Sequence, residues 1–146
     1  MKKFILCFLS IIMLVSCSTV GIQAESTDEG IMPCWSNGTE CTMVFEISNT
    51  GLAVAQVTFT GIPGVTTQVR SEMYIQKRVL GIFWKKVDIG VEDNIWVDVT
   101  TEDMYFFTHS VQLEDTGTYR AVFELTFSGT GGTDDVVSDK IEYTYG

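Results

Sequence analysis

Apolar and polar residues alternate with a period of two along most of the chain beyond residue 40, which is the period of a strand. In the segment 41–48 the odd-numbered residues are apolar, as expected of a strand with one buried face. Glycine, proline and asparagine separate such segments. Segment 82–89 follows 71–79 closely and is predicted to be the second arm of a hairpin with it. The pattern predicts strands at residues 41–48, 53–59, 65–69 (a short edge strand), 71–79, 82–89, 95–100, 105–113, 118–128 and 136–145.

No segment of helical length carries an apolar stripe with helical spacing, so the sequence predicts an all-β protein. Seven or eight short strands with turns at intervals of about ten residues are typical of an antiparallel β-sandwich. We expect one such domain, covering residues 34–146.

The segment Leu113–Ala121 reads LEDTGTYRA and resembles the tyrosine corner of immunoglobulin-like domains, in which Asp-x-Gly-x-Tyr opens a strand. The resemblance implies an immunoglobulin-like β-sandwich and structural roles for Asp115, Gly117 and Tyr119. It also implies that the Tyr119 hydroxyl bonds to upstream backbone. Ala121 stands where the family has its second core cysteine, so the inter-sheet disulfide of that family is not expected.

A second resemblance covers the chain from about Cys34 to the end. It rests on Met73–Lys77, Phe83–Val87, Gly117–Ala121 and Gly129–Asp135, which are similar to segments of small uncharacterised exported proteins of Gram-positive bacteria. This similarity favours the same fold and an extracytoplasmic location. It implies no activity.

The N-terminus has the pattern of a secretory signal peptide. Two lysines precede an apolar stretch at Phe4–Val15, which is too short to span a bilayer. We expect cleavage after Ala24, where a small residue stands at the cut. This assigns residues 1–24 to the signal peptide and residues 25–33 to a flexible N-terminal segment.

A lipoprotein signal is the alternative, because Leu14–Cys17 resembles a bacterial lipobox, in which Cys17 would be lipidated. The two patterns overlap in the same short segment and both stay open. Either one places the protein outside the cytoplasm, secreted or at the cell surface. No membrane insertion is expected after processing unless Cys17 carries lipid.

Two cysteines remain once the signal peptide is removed, Cys34 and Cys41. An even pair in an exported chain predicts a disulfide. The intervening Asn37-Gly38 is a frequent tight-turn dipeptide and would place the two cysteines opposite each other. A redox or metal pair is disfavoured because the spacing fits neither and no histidine lies nearby.

The charge balance excludes several classes of partner. The 146 residues carry 9 basic and 19 acidic side chains, a formal charge of −10. Cleavage after Ala24 removes two lysines and no acid, which leaves −12. A field of this sign disfavours nucleic acid and electrostatic docking to a membrane.

The sequence contains no recognisable catalytic arrangement. Its single histidine, His109, lies within a predicted strand, and the neighbouring Ser110 belongs to the opposite face. Serine-hydrolase, phosphate-loop, zinc-protease and dinucleotide motifs are absent from the sequence, so we expect no cofactor. The acid-rich loops lack the fixed spacing of a known calcium loop, so we expect a solvated acidic face and no metal site, and calcium binding by these loops stays open as the alternative.

Basic residues gather around one predicted hairpin, where Lys77, Arg78, Lys85 and Lys86 flank Trp84. One interpretation is that these residues protect an edge strand from pairing with other chains. The other is a contact surface for an acidic extracellular protein, an anionic wall polymer or a second copy.

The sequence therefore predicts an exported, non-catalytic binding or surface-interaction module of unknown ligand. Two alternatives stay open. One is a carbohydrate-active hydrolase with a carboxylate pair, which needs two acids in a cleft at a suitable separation. The other is a purely structural cell-surface protein.

Overall fold

The computed structural model describes residues 35–146. The predicted signal peptide, Cys17, the 25–33 segment and Cys34 lie outside the described residues. A short 3-10 helix spans Glu92–Asn94. The strands are β1 Gly38–Ile47, β2 Leu52–Gly61, β3 Thr66–Val79, β4 Phe83–Lys86, β5 Trp96–Thr100, β6 Met104–Gln112, β7 Gly117–Gly129 and β8 Asp135–Tyr145.

The strands form two antiparallel sheets, which confirms the all-β prediction. The smaller sheet has the order β1-β2-β6, and the larger has the order β4-β3-β7-β8 with β5 also paired to β3. Because β3 is 14 residues long, one of its edges holds both β5, at Val69–Met73, and β4, at Gln76–Val79. The opposite edge of β3 pairs with β7 as far as Lys77.

One apolar core is formed by residues from both sheets. Alternate residues of β2, β3 and β7 supply most of the buried side chains, as the period-two pattern requires, and β6 and β8 contribute partly buried ones. The rings of Phe59 on β2 and Phe127 on β7 meet edge-to-face, with centroids 5.9 Å apart. This contact joins the two sheets, and aromatic pairs of this geometry add stabilisation beyond that of area burial.

The strand predicted at 71–79 and the short edge strand predicted at 65–69 are a single strand, β3. Buried Val69, Ser71 and Met73 follow one another with unbroken alternation, so the strand has no local reason to stop. The edge-strand prediction is therefore wrong: β3 lies between β7 on one side and β4 and β5 on the other.

The tight turn predicted at Asn37-Gly38 is also wrong. Neither residue has the positive φ that such a turn needs, and β1 begins at Gly38. The Asn37 side chain is instead fully buried: its Nδ2 donates to the carbonyl oxygen of Thr133 at 2.8 Å, and its Oδ1 accepts from the amide of Gly131 at 3.0 Å. Buried amides require such partners, and these bonds tie the start of β1 to the β7–β8 loop.

Candidate functional site

The turn between β3 and β4 has an unusual residue at its first central position. Leu80 has φ 53° and Gly81 has φ 71°, and the amide of Ile82 donates to the carbonyl oxygen of Val79 at 3.2 Å. Positive φ at both central residues is a hairpin geometry that favours Asn-Gly or Asp-Gly. A leucine is disfavoured there because its Cβ crowds the backbone. Turn formation by itself therefore does not account for Leu80.

The side chains at this tip are strongly exposed although they are apolar. The exposed fractions are 82% for Leu80, 72% for Ile82, 63% for Phe83 and 37% for Val79. Single exposed hydrophobic residues are ordinary, but neighbouring ones on a protruding tip are typical of an interaction site. They are uncovered because the pairing of β3 with β7 ends at Lys77, so the hairpin extends beyond the sheet.

The cations predicted as a contact surface lie on both faces of this hairpin. Lys77 pairs with Lys85, and these residues share the face that β3 turns toward the core. Arg78 and Lys86 alternate with them and belong to the outer face. The predicted cluster is therefore present in one region but divided between two faces, immediately behind the apolar tip.

Trp84 lies on the outer face and contacts two arginines. The guanidinium carbon of Arg120 is 4.1 Å from its ring centroid, and that of Arg78 is 5.7 Å away. Arg120 Nε also donates to Gln76 Oε1 at 2.7 Å. These cation–π contacts fix Trp84 on the sheet surface, and Arg78 is held beside the tip.

The predicted tyrosine-corner residues lie at the base of the hairpin. The Tyr119 hydroxyl donates to the carbonyl oxygen of Asp115 at 2.6 Å, and Gly117 begins β7 with φ 144°. Lys77 Nζ donates to the Asp115 carboxylate at 2.8 Å, and this bond raises the pKa of Lys77 above its ordinary value. Lys77 is therefore engaged within the chain, whereas Lys85 forms no ion pair among the described residues.

A cleft of about 680 Å³ lies under the core-side face of the hairpin. Apolar Val79, Val87 and Leu113 contribute to its lining, together with Lys85 and Asp115. The cleft is open and mixed in polarity. The cleft is lined by the hairpin on one side and by the loop that precedes β7 on the other.

A second polar arrangement joins the two sheets on the β5–β6 side. His109 Nε2 lies 2.6 Å from Asp98 Oδ2, and the His109 ring stacks on Trp96 with centroids 4.9 Å apart. Ser71 pairs with Asp98 across the strands, but its Oγ is fully buried and has no hydrogen-bond partner. Ser110 lies on the opposite face of β6 and is exposed. Among the described residues, no serine hydroxyl is hydrogen-bonded to His109 or Asp98, so the structure positions no serine nucleophile on this pair.

Cys41 is half-buried on β1, and burial, with Asp139 and Glu40 nearby, raises the pKa of its thiol to about 11. Residues 35–146 contain no disulfide. Because Cys34 lies outside the described residues, the Cys34–Cys41 bond stays a prediction.

Within residues 35–146, no cluster of three or more His, Cys, Asp or Glu side chains has a geometry that could hold a metal ion. The same part of the chain contains no helix long and apolar enough to cross a bilayer. Comparisons with protein-family models, curated proteins and solved structures found no match to this chain.

Two features of these sites were not anticipated from the sequence. The Leu80-Gly81 dipeptide separates the strands predicted at 71–79 and 82–89, but no local pattern indicates that the leucine occupies a positive-φ turn position with an exposed side chain. The Asp98–His109 pair connects two strands in different sheets, and no local pattern indicates it.

Proposed function

We propose that this chain is an exported, non-catalytic binding module that contacts an acidic partner through its β3–β4 hairpin. The observation that carries the proposal is the exposed apolar tip of Leu80, Ile82 and Phe83 on an arm flanked by cations. An arm that extends beyond the sheet and leaves these side chains in water stabilises the chain little by itself. Its composition is that of a contact site.

The proposed scaffold is an immunoglobulin-like β-sandwich behind a cleaved signal peptide. Support comes from the strand orders β1-β2-β6 and β4-β3-β7-β8 and from the bond between Tyr119 and the backbone of Asp115. Such sandwiches commonly present their binding residues on loops and hairpins at the ends of the sheets. The β3–β4 hairpin has this kind of position.

The charge distribution favours an acidic partner, such as an extracellular protein or a wall polymer. Residues 35–146 hold seven basic and sixteen acidic side chains, and four of the seven basic ones lie on the hairpin. At physiological salt the screening length is about 8 Å, so a partner at the tip experiences mainly the nearby charges. Among the described residues Lys77 is paired with Asp115, whereas Arg78, Lys85 and Lys86 form no ion pair. The acidic remainder disfavours approach of the same partner from other directions.

The proposal of a binding module rather than an enzyme draws support from His109. Its contacts are the Asp98 carboxylate and the Trp96 ring, which connect the edges of the two sheets. This is a structural use of a histidine. In residues 35–146 no serine hydroxyl is hydrogen-bonded to His109, so His109 has no positioned serine to deprotonate as a general base.

Site-specific photo-crosslinking on the surface of the producing cells tests the proposed contact. A photoreactive residue at Ile82 should give abundant adducts, whereas one at Val136, which is 61% exposed on β8, should give few. Lys85→Glu should reduce the yield at position 82, and Lys140→Glu is the matched control because it makes the same charge change away from the hairpin. Equal labelling at positions 82 and 136 would contradict the proposal.

A further inference from the structure

We infer that the hairpin contacts an anionic lipid surface, into which Leu80, Ile82 and Phe83 insert while the cations behind them bind headgroups. This inference rests on the proposed function, because it names the partner of the same site. An apolar end with a basic collar is the arrangement by which proteins attach to the interfacial layer of a bilayer.

The shape of the tip favours a deformable partner. Leu80 and Ile82 flank Gly81 at the extreme end of the hairpin, with exposed fractions of 82% and 72%. Side chains on such a convex end are covered only by a surface that surrounds them. The interfacial layer of a bilayer does this without a preformed pocket.

The placement of the cations separates a bilayer from a one-sided protein interface. Arg78 and Lys86 belong to one face of the hairpin, and Lys77 and Lys85 to the other. A partner protein that packs on one face would leave half of this charge unused. A planar anionic surface entered end-on meets Arg78 on one face and Lys85 on the other, at adjacent pairs of the ladder. Lys77 is already paired with Asp115, and Lys86 lies one pair further from the tip.

Trp84 follows Phe83 directly and lies at the level of these cations, in register with Arg78. Tryptophan is enriched where apolar and headgroup layers meet. The order along the arm is thus an apolar tip, then Trp84 and Arg78, then the sheet, where Arg120 packs on the Trp84 ring. This is the order of chemical layers that a bilayer presents.

The rest of the domain orients the hairpin. Outside it, residues 35–146 carry three basic and sixteen acidic side chains. An anionic membrane repels this body and attracts the tip, so the domain should stand with the hairpin toward the lipid. The overall negative charge, which disfavours docking through the body, is compatible with docking through the tip.

Co-sedimentation with lipid vesicles tests the inference. The wild type should bind vesicles of phosphatidylcholine with about 30 mol% phosphatidylglycerol at least tenfold more tightly than pure phosphatidylcholine, and added salt should weaken binding. Lys85→Glu should weaken vesicle binding more than about fivefold, since each cation near an anionic surface strengthens binding by about that factor. Lys140→Glu should change binding less, because it lies away from the hairpin.

Leu80→Asn separates insertion from simple charge attraction. Asparagine suits the turn geometry, so the variant should fold at least as well as the wild type, yet it should bind at least about tenfold more weakly because an inserted leucine is lost. Val136→Asn, a similar exposed apolar-to-polar change on β8, should leave binding within about twofold.

The outcomes distinguish the two proposals. Failure to bind anionic vesicles, or equal binding by the wild type and Leu80→Asn, would overturn lipid insertion. If position 82 on cells then still crosslinks to a protein or wall polymer, the proposed contact function stands with a different partner. If position 82 labels no more than position 136, the hairpin is not the contact site and both proposals fail.

Discussion

The Tyr119 hydroxyl donates a hydrogen bond to the backbone carbonyl oxygen of Asp115 at 2.6 Å. The Asp115 side chain accepts a second bond, from Lys77 on β3, at 2.8 Å. Asp115 therefore holds the loop before β7 through its backbone carbonyl and connects that loop to the base of the hairpin through its side chain. The position of the arm depends on this loop as well as on strand pairing.

Tyr119→Phe should lower the free energy of unfolding by roughly 1–3 kcal/mol, because it leaves the carbonyl of Asp115 without its buried partner. The measurement is the urea midpoint and slope. Tyr143→Phe is the control, since Tyr143 is 40% exposed on β8. Equal effects of the two substitutions would mean that the Tyr119 bond has no special structural role.

Leu80→Asn should stabilise the fold, because Leu80 occupies the left-handed region with φ 53° and asparagine tolerates it better. The expected gain is about 0.5–1.5 kcal/mol, since the strain and the exposed leucine are both removed. Thermal and urea unfolding measure it. Ile82→Asn should give no such gain because Ile82 lies outside the positive-φ positions. A destabilised Leu80→Asn protein would contradict the account of the turn.

The Asp98–His109 pair should contribute to the attachment between the two sheets. A double-mutant cycle with Asp98→Ala and His109→Ala should give a coupling energy of about 0.5–2 kcal/mol. The value should lie above that of a surface pair because both side chains are only about a quarter exposed, at 23% and 26%. A coupling energy of zero would assign the stabilisation to the Trp96–His109 stack alone.

Cys34 and Cys41 should be joined in the mature protein, so intact mass should show the loss of two hydrogens and no alkylation under native conditions. After reduction, Cys41 should alkylate slowly at pH 8, because only the thiolate reacts and its pKa is raised to about 11. The rate should increase about tenfold per pH unit until the pH approaches that pKa. Alkylation of the purified, unreduced protein after it is unfolded in denaturant would exclude the disulfide, because unfolding removes the burial that slows the reaction of Cys41.

Cleavage after Ala24 should give a mature chain that starts at Glu25 and is recovered from the culture medium. N-terminal sequencing and intact mass test this. A diacylated Cys17 peptide extracted from membranes would instead establish the lipoprotein form. In that case the chain has a lipid anchor independent of the hairpin, and Cys17→Ser would be needed before vesicle binding is measured.

The strands follow closely from local sequence. The segment predicted at 118–128 is β7 at Gly117–Gly129, and the one predicted at 136–145 is β8 at Asp135–Tyr145. Alternation of apolar and polar residues is a property of neighbours along the chain, because side chains on a strand point to alternate faces. A half-buried strand is therefore visible in the sequence before its partners are known.

The contacts that make the site depend on residues far apart in the chain. Asn37 does not form the predicted turn, because its side chain is hydrogen-bonded to the β7–β8 loop, more than ninety residues away. His109 contacts Asp98, which belongs to the other sheet. The β3–β4 register places two of the four hairpin cations on each face. The tip is exposed because the pairing of β3 with β7 ends at Lys77 and the hairpin continues beyond it. Local periodicity carries no information on which strands meet or where their pairing ends, since that is set by the packing of both sheets around one core.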